Sequence, residues 1–291
     1  MPLPITACVF TKKPYNLENM GQNKAGLLFK RPFWKWLVFL AVGLLFIGWL
    51  LNTPEGLLGK ADAIGYAVCH RIDIRSFHLG VRQLPLCARC TGMYLGAMLG
   101  LLYQQVLGRR RGGMPPWPVL VVLGLFVAAF GVDGVNSYLH LFPGAPSLYE
   151  PQNWLRLLTG TGMGLVISAA VFPAFNQTIW EDWVERPALP DLRSLGGLVL
   201  LALALDAIVL TQNPILLYPL ALISAASVLV LLTMIYALIL TMVFRVENHF
   251  TSITQLALPL AGGFGMALMQ IALLDWVRFV LTGTWAGFQL G

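Results

Sequence analysis

Seven long apolar runs, divided by short polar connections, constrain this chain more than any other feature. They cover residues 36–52, 86–107, 118–140, 155–175, 195–211, 218–244 and 255–281. A helix rises about 1.5 Å per residue and a bilayer core is about 30 Å thick, so ~20 apolar residues suffice to cross it. The runs are continuous rather than alternating, and lipid requires every backbone polar group to be satisfied within its own segment. Both observations favour helices over a barrel. Only 11% of the 291 residues are charged, against about 25% in a soluble protein. The expected fold is therefore all-α: a polytopic membrane protein with about seven transmembrane helices, lying multi-pass in the cell membrane and in contact with the lipid bilayer.

The net charge of +6 invites a nucleic-acid reading, but its distribution argues for topology instead, and no nucleic-acid partner is expected. Lys12, Lys13, Lys24, Lys30, Arg31 and Lys35 precede the first span, and Arg109, Arg110 and Arg111 follow the second. Basic residues beside span ends hold their loops on the cytoplasmic side. The resulting expectation is N-in and C-out. Residues 1–33 are then a cytoplasmic tail, residues 34–175 a membrane core with an outer loop at 53–85, and residues 176–291 a three-helix extension. Ile5-Thr6-Ala7-Cys8 resembles a lipoprotein cleavage box, but no apolar stretch precedes it, so the first span is expected to serve as an uncleaved anchor. No internal repeat is evident, which speaks against an inverted-repeat transporter.

Chemistry gathers in one place. Three of the four cysteines and two of the four histidines fall within residues 69–90: Cys69, His70, His78, Cys87 and Cys90. Cys87 and Cys90, three apart where a loop enters the second span, can chelate one ion from a helix start. Cys69 can add a third sulfur, and His70 or His78 a nitrogen, giving a Cys3His set suited to zinc or another soft divalent metal. The same atoms admit two other readings. A CxxC pair at a helix N-terminus favours the thiolate and suits a membrane thiol–disulfide oxidoreductase. A disulfide from Cys69 to Cys87 or Cys90 would instead staple the outer loop in a non-catalytic subunit or scaffold. Whether the chain is an enzyme stays open at this point.

Ionisable and polar groups collect at the same membrane level as the cysteines. Asp133, Asn136 and His140 share one face of the third span. Glu150, Asn153 and Arg156 flank the start of the fourth, and Asp206, Asp275 and Arg278 sit in the outer halves of the fifth and seventh. Charged groups inside spans are costly and mark functional sites. Within an enzyme, Asp133, Asn136 and Arg156 are the candidate catalytic residues. Arg75, Arg89, Glu150 and Asn153 are the candidate substrate contacts, because arginine forks suit anionic groups such as a lipid head group. Ordinary ion pairing between these arginines and Asp73, Asp133 or Glu150 accounts for the same residues without a substrate. Gly92, Gly96 and Gly100 form a stripe that lets helices pack closely, nearly opposite Cys87, Cys90 and Tyr94.

The string Cys69-His70-Arg71, Arg75-Ser76-Phe77, Gly80 and Leu84-Pro85-Leu86-Cys87-Ala88-Arg89-Cys90-Thr91-Gly92-Met93-Tyr94-Leu95-Gly96 resembles the uncharacterised prokaryotic membrane family DUF2085. The likeness continues through Asp133-Gly134-Val135-Asn136-Ser137 and Asn153-Trp154-Leu155-Arg156-Leu157-Leu158-Thr159-Gly160, and stops near residue 165. That family commonly has Gln after Cys-His, where this chain has Arg71. The departure leaves the possible ligands untouched and bears on head-group or partner contacts. The resemblance implies a shared site and no particular chemistry.

Overall fold

The computed structural model describes residues 32–142 and 146–288. Residues 1–31, with Cys8 and most of the expected tail, lie outside the described part, as do residues 143–145. Each of the seven expected spans is a helix. In chain order the helices are α1 (Pro32–Asn52), α2 (Gly56–Val68), α3 (Ala88–Leu107), α4 (Trp117–Leu139), α5 (Asn153–Ile179), α6 (Leu192–Leu210), α7 (Pro214–Val243) and α8 (Ala257–Thr282). Helix α2 was not foreseen; it occupies the first half of the expected outer loop. Its sequence carries Gly59, Lys60, Asp62 and Gly65 among apolar residues, too mixed to announce a helix by hydropathy.

Among the described residues, six helices are long and apolar enough to cross a membrane: all but α2 and α3. Helix α3 has the length, 20 residues, but carries Arg89, Thr91, Tyr103, Gln104 and Gln105. It can be more polar because it is enclosed. One face packs on α5, with α6 and α7 also against it. Helix α1 is the opposite case, with Phe33, Trp36, Leu40, Leu44, Ile47 and Leu51 all exposed along its length, as suits a lipid-facing helix.

The α3–α5 contact is the tightest in the bundle, and glycine is the reason. A Cβ on Gly92 would overlap the Leu157 carbonyl, and one on Gly96 the Thr161 carbonyl. The fit is reciprocal, since Cβ atoms on Gly160 and Gly164 would overlap the Arg89 and Met93 carbonyls. Backbone meets backbone over this stretch, as the stripe in the second span led one to expect.

Successive helices run up and down, so the connections form two ends. At one, β3 (Arg111–Gly113) pairs in parallel with β4 (Val184–Pro187), and a bridge joins Trp180 to Phe250. At the other end lie the 53–87 segment, the 140–152 and 211–213 connections and the residues after α8. A small hairpin, β1 (His78–Leu79) with β2 (Arg82–Gln83), belongs to this second end. Local signals set the helix starts: Pro116 and Pro118 open α4, Asn213 caps α7 through Ile215 N, and Asp191 caps α6 through Ser194 N.

Candidate metal centre

Helix α2 stops at Cys69, whose N–H still bonds to the Gly65 carbonyl. The chain then turns through His70 and Arg71, and Arg71 takes a left-handed φ of 51°. This turn brings the Arg71 N–H to 3.5 Å from Cys69 Sγ. The return strand reaches the sulfur from the other side, with the Cys87 N–H donating to Cys69 Sγ at 3.3 Å. Gly65 makes that approach possible. A Cβ there would overlap the Pro85 carbonyl, so only glycine lets the segment before Cys87 lie against α2.

Cys87 is the N-cap residue of α3, and Cys90 follows in its first turn. The ligand atoms of Cys69, Cys87 and Cys90 all lie within 4.8 Å of one another, and all three cysteines are free thiols. Two backbone donors and the neighbouring thiols converge on Cys69. Hydrogen bonds from the Cys87 thiol, then from Cys90, hold the Cys69 thiol well below its ordinary pKa against the opposing effect of burial. Apolar side chains from four helices close around the group: Trp49 of α1, Ile64 of α2, Val228 of α7 and Leu268 and Ile271 of α8. The C-terminal helices therefore wall the cysteines and share one core with them.

The two histidines behave differently. Neither joins the three sulfurs in the group of mutually close donor atoms. His70 accepts the Ile72 N–H on Nδ1 at 3.0 Å. Burial holds its imidazole below the usual pKa; the Cys69 charge opposes this, and Arg75, Arg89 and Arg156 add to it. With Nδ1 accepting, the proton of the neutral ring sits on Nε2, which has no bonded partner among the described residues. His78 points to the hairpin and pairs through Nε2 with Asp73 Oδ1 at 2.9 Å.

Several of the polar groups singled out in the sequence are joined by hydrogen bonds near the start of α3. Asp133 is 1% exposed on its side chain. Arg89 approaches its carboxylate through Nε at 3.1 Å and through Nη2, Tyr149 donates its hydroxyl at 2.9 Å, and Thr159 donates at 3.3 Å. The node ties α3, α4, α5 and the 140–152 connection. Partial burial, then the bond to Asp133, raises the Tyr149 phenol above its ordinary pKa. Asn136 donates to the Tyr149 carbonyl at 2.9 Å and accepts the Leu148 and Tyr149 N–H groups at 2.7 and 3.4 Å. Both residues thus spend their polar atoms holding helices and loop together. Asn153 accepts from Arg156 Nη1 at 2.8 Å and donates to the Ile74 and Ser76 carbonyls at 3.2 and 3.5 Å. Arg75 donates to the Ser137 carbonyl at 2.9 Å. Glu150 is exposed and has no bonded partner.

Sequence reasoning missed two devices. Arg278 of α8 reaches the cysteine loop and donates to the Tyr66, Cys69 and His70 carbonyls at 2.6, 2.7 and 3.2 Å, with its guanidinium over the Tyr66 and Phe288 rings. The residues after α8 complete the strap. The Phe288 N–H donates to the His70 carbonyl at 3.1 Å, and Arg71 donates to the Trp285 carbonyl at 3.3 Å. The second device is Asp62, which pairs with both Arg71 and Arg82 at 2.9 and 2.6 Å. A cation near the end of a span was a visible signal for the first; nothing in the sequence pointed to three carbonyls as its partners.

Two cavities flank the region. One, of about 460 Å³, runs along α4 past Val132, Asn136 and Leu148. The other, of about 270 Å³, lies between α4, α5 and α6 and reaches Thr159 and Asp206. Neither is lined by the cysteines.

Comparison with known proteins narrows the setting. A family model described as a predicted membrane protein, DUF2085, matches residues 69–170, the stretch that carries all three clustered cysteines, Asp133 and Arg156. An uncharacterized protein of Methanothermobacter thermautotrophicus is 32% identical over 106 residues, covering 36% of this chain and 86% of that protein. An uncharacterized protein of Methanocaldococcus jannaschii is 25% identical over 146 residues, covering 50% of this chain and 88% of the relative. No solved structure matches the chain significantly.

Proposed function

Because the chain belongs to the DUF2085 family of predicted membrane proteins, we propose that the family's shared segment builds a metal–thiolate centre at one end of a helix bundle. Cys69, Cys87 and Cys90 are the ligands, and the ion is zinc or another soft divalent metal. The observation that carries this reading is the mutual approach of three unlinked sulfurs within 4.8 Å. Zinc–sulfur bonds of about 2.3 Å in a tetrahedron set sulfurs about 3.8 Å apart, so the group needs little closure to fit. Backbone N–H groups aimed at Cys69 Sγ stabilise the thiolate that a metal requires. A disulfide would use two of these sulfurs and strand the third.

His70 is the candidate fourth ligand; binding through Nε2 requires the ring proton to leave that nitrogen for Nδ1, with loss of the Ile72 N–H bond. His78, paired with Asp73, is the weaker one. A bound ion with an open position would supply Lewis acidity beside the arginines. In the enzymatic form of this reading the substrate is an anionic, lipid-like molecule. Asp133 and Asn136 then act as positioning groups through the helices and loop they hold, and Arg75 and Arg156 face the negative charge. Arg89 is already neutralised by Asp133. The orientation that goes with this reading puts the cysteine end on the extracytoplasmic side. Arg109, Arg110, Arg111, Arg186, Arg193 and Arg245 at the strand end support it.

Elemental analysis of the purified full-length protein tests the proposal. The expected content is about one ion per chain, lost in Cys87→Ser. Less than about half an equivalent, unchanged in Cys87→Ser, overturns it. Thiol titration of the same sample separates the alternatives, since a staple or a redox pair leaves fewer than three reactive thiols after denaturation.

A further inference from the structure

Six arginines stand at the cysteine end, and they are not equally matched. Arg71 and Arg82 share Asp62, and Arg89 has Asp133. Arg278 has three carbonyls and two aromatic rings. Arg75 and Arg156 have far less. They are 8% and 6% exposed, yet each has one neutral acceptor: the Ser137 carbonyl for Arg75 and Asn153 Oδ1 for Arg156. The Nε of each is buried without a partner. Neither forms an ion pair. A buried guanidinium carries five donors in a fixed fork and cannot shed its charge, so two such groups without a bonded counter-charge are costly.

The two are also neighbours. Asn153 accepts from Arg156 and donates to the carbonyls of Ile74 and Ser76, the residues on either side of Arg75. Ser137 links them to the saturated node, accepting from Arg75 on its carbonyl and from Arg89 on its hydroxyl. Asp133, the nearby carboxylate, is already spent on Arg89, Tyr149 and Thr159. Among the described residues, neither guanidinium has a carboxylate bonded to it; Asp133 and the thiol of Cys87 act on both only at a distance.

We infer that Arg75 and Arg156 form a receptor for a phosphate-class oxyanion, seated beside the cysteine group. A phosphate monoester carries close to two negative charges at neutral pH, which matches the two guanidiniums without a bonded carboxylate. Its oxygens suit the fork geometry that a single carbonyl cannot fill. The inference deepens the proposed function by naming the chemistry of its substrate; it takes its meaning from that reading, but the anion's binding does not require the metal. The phosphate comes either from solution or from a lipid head group at the membrane surface.

Equilibrium binding to the full chain in phosphatidylcholine nanodiscs tests this, with radiolabelled inorganic phosphate in one arm. Competition by nanodiscs doped with phosphatidic acid forms the other. The expected result is saturable phosphate binding at constant ionic strength; its loss when the protein is reconstituted with phosphatidic acid, but not with phosphatidylglycerol, a diester, assigns the site to a lipid head group. Arg156→Lys keeps the charge and loses the fork, so it is expected to bind about tenfold more weakly. Arg75→Met/Arg156→Met is expected not to bind at all, and Arg193→Met, exposed at the other end, to bind as the parent does. Should the double variant fail to fold, the lysine variant and the parent protein still decide. Binding that survives chelation of metal supports the receptor even where the metal centre has failed. Absence of binding to the parent in both arms overturns it, as does binding that Arg156→Lys leaves unchanged.

Discussion

The two ends of the bundle use the same parts and build opposite things. At the strand end Arg110 pairs with Asp182, donates to the Thr251 carbonyl and lies over the Trp180 ring at 4.4 Å. At the cysteine end Arg89 pairs with Asp133, bonds the Ser137 hydroxyl and lies over the Phe130 ring at 5.7 Å. The Asp182 side chain is 57% exposed and Asp133 is 1% exposed. One pair sits in water and clips two connections. The other buries its carboxylate, which accepts from Arg89, Tyr149 and Thr159 and has more cations near it than it can answer. Burial, not residue type, turns an ordinary ion pair into a costly one, and cost retained in a buried place is what a functional site looks like.

The largest effect is expected where both ends are tied together. Gly160→Val/Gly164→Val would drive side chains into the Arg89 and Met93 carbonyls. It should leave little monodisperse protein on size-exclusion chromatography in detergent, because backbone cannot step aside as a side chain can. A sharper contrast comes next. Asp133→Ala strands a buried guanidinium and should cost about 3–5 kcal/mol, while Asp182→Ala at the exposed pair should cost under about 1 kcal/mol. Thermal unfolding of the two variants side by side measures the comparison directly; equal losses would break it. Arg278→Met removes charge-assisted bonds to three loop carbonyls and should cost about 2–3 kcal/mol. It should also raise the alkylation rate of Cys69, since the loop that holds it loses its strap. The smallest effect is Tyr149→Phe, which removes one of the bonds to Asp133 and should cost about 1 kcal/mol.

These features differ in how visible they are from sequence alone. Hydropathy located the seven long helices, six of them apolar enough to cross a membrane, because lipid leaves a helix little choice of composition. Spacing brought Cys87 and Cys90 together, since residues three apart at a helix start share a face. The Gly92–Gly96–Gly100 stripe was legible as a packing surface. What stayed hidden depended on tertiary partners. Helix α2 forms because Ala61, Ile64 and Tyr66 are buried in the end of the bundle, a tertiary gain that a mixed 13-residue sequence does not advertise. Spacing left either His70 or His78 open as the nitrogen ligand, but a local turn gives one nitrogen of His70 to Ile72 N–H, and His78 pairs with Asp73. Asp133 and Asn136 looked like free polar groups in a membrane, and only the folded 140–152 connection reveals what they hold. The strap from α8 was equally hidden, because Arg278 acts through carbonyls, which carry no signature in the residue string.

The glycine-lined contact between α3 and α5 has a mechanical meaning. No rotamer lies between the two backbones to absorb a displacement, so the pair moves as one beam. Its upper tip carries Arg89 and Cys90, and its lower tip runs into the strand pairing through Arg111 and the residues after Ile179. A push on either tip is therefore delivered to the other along the length of the bundle.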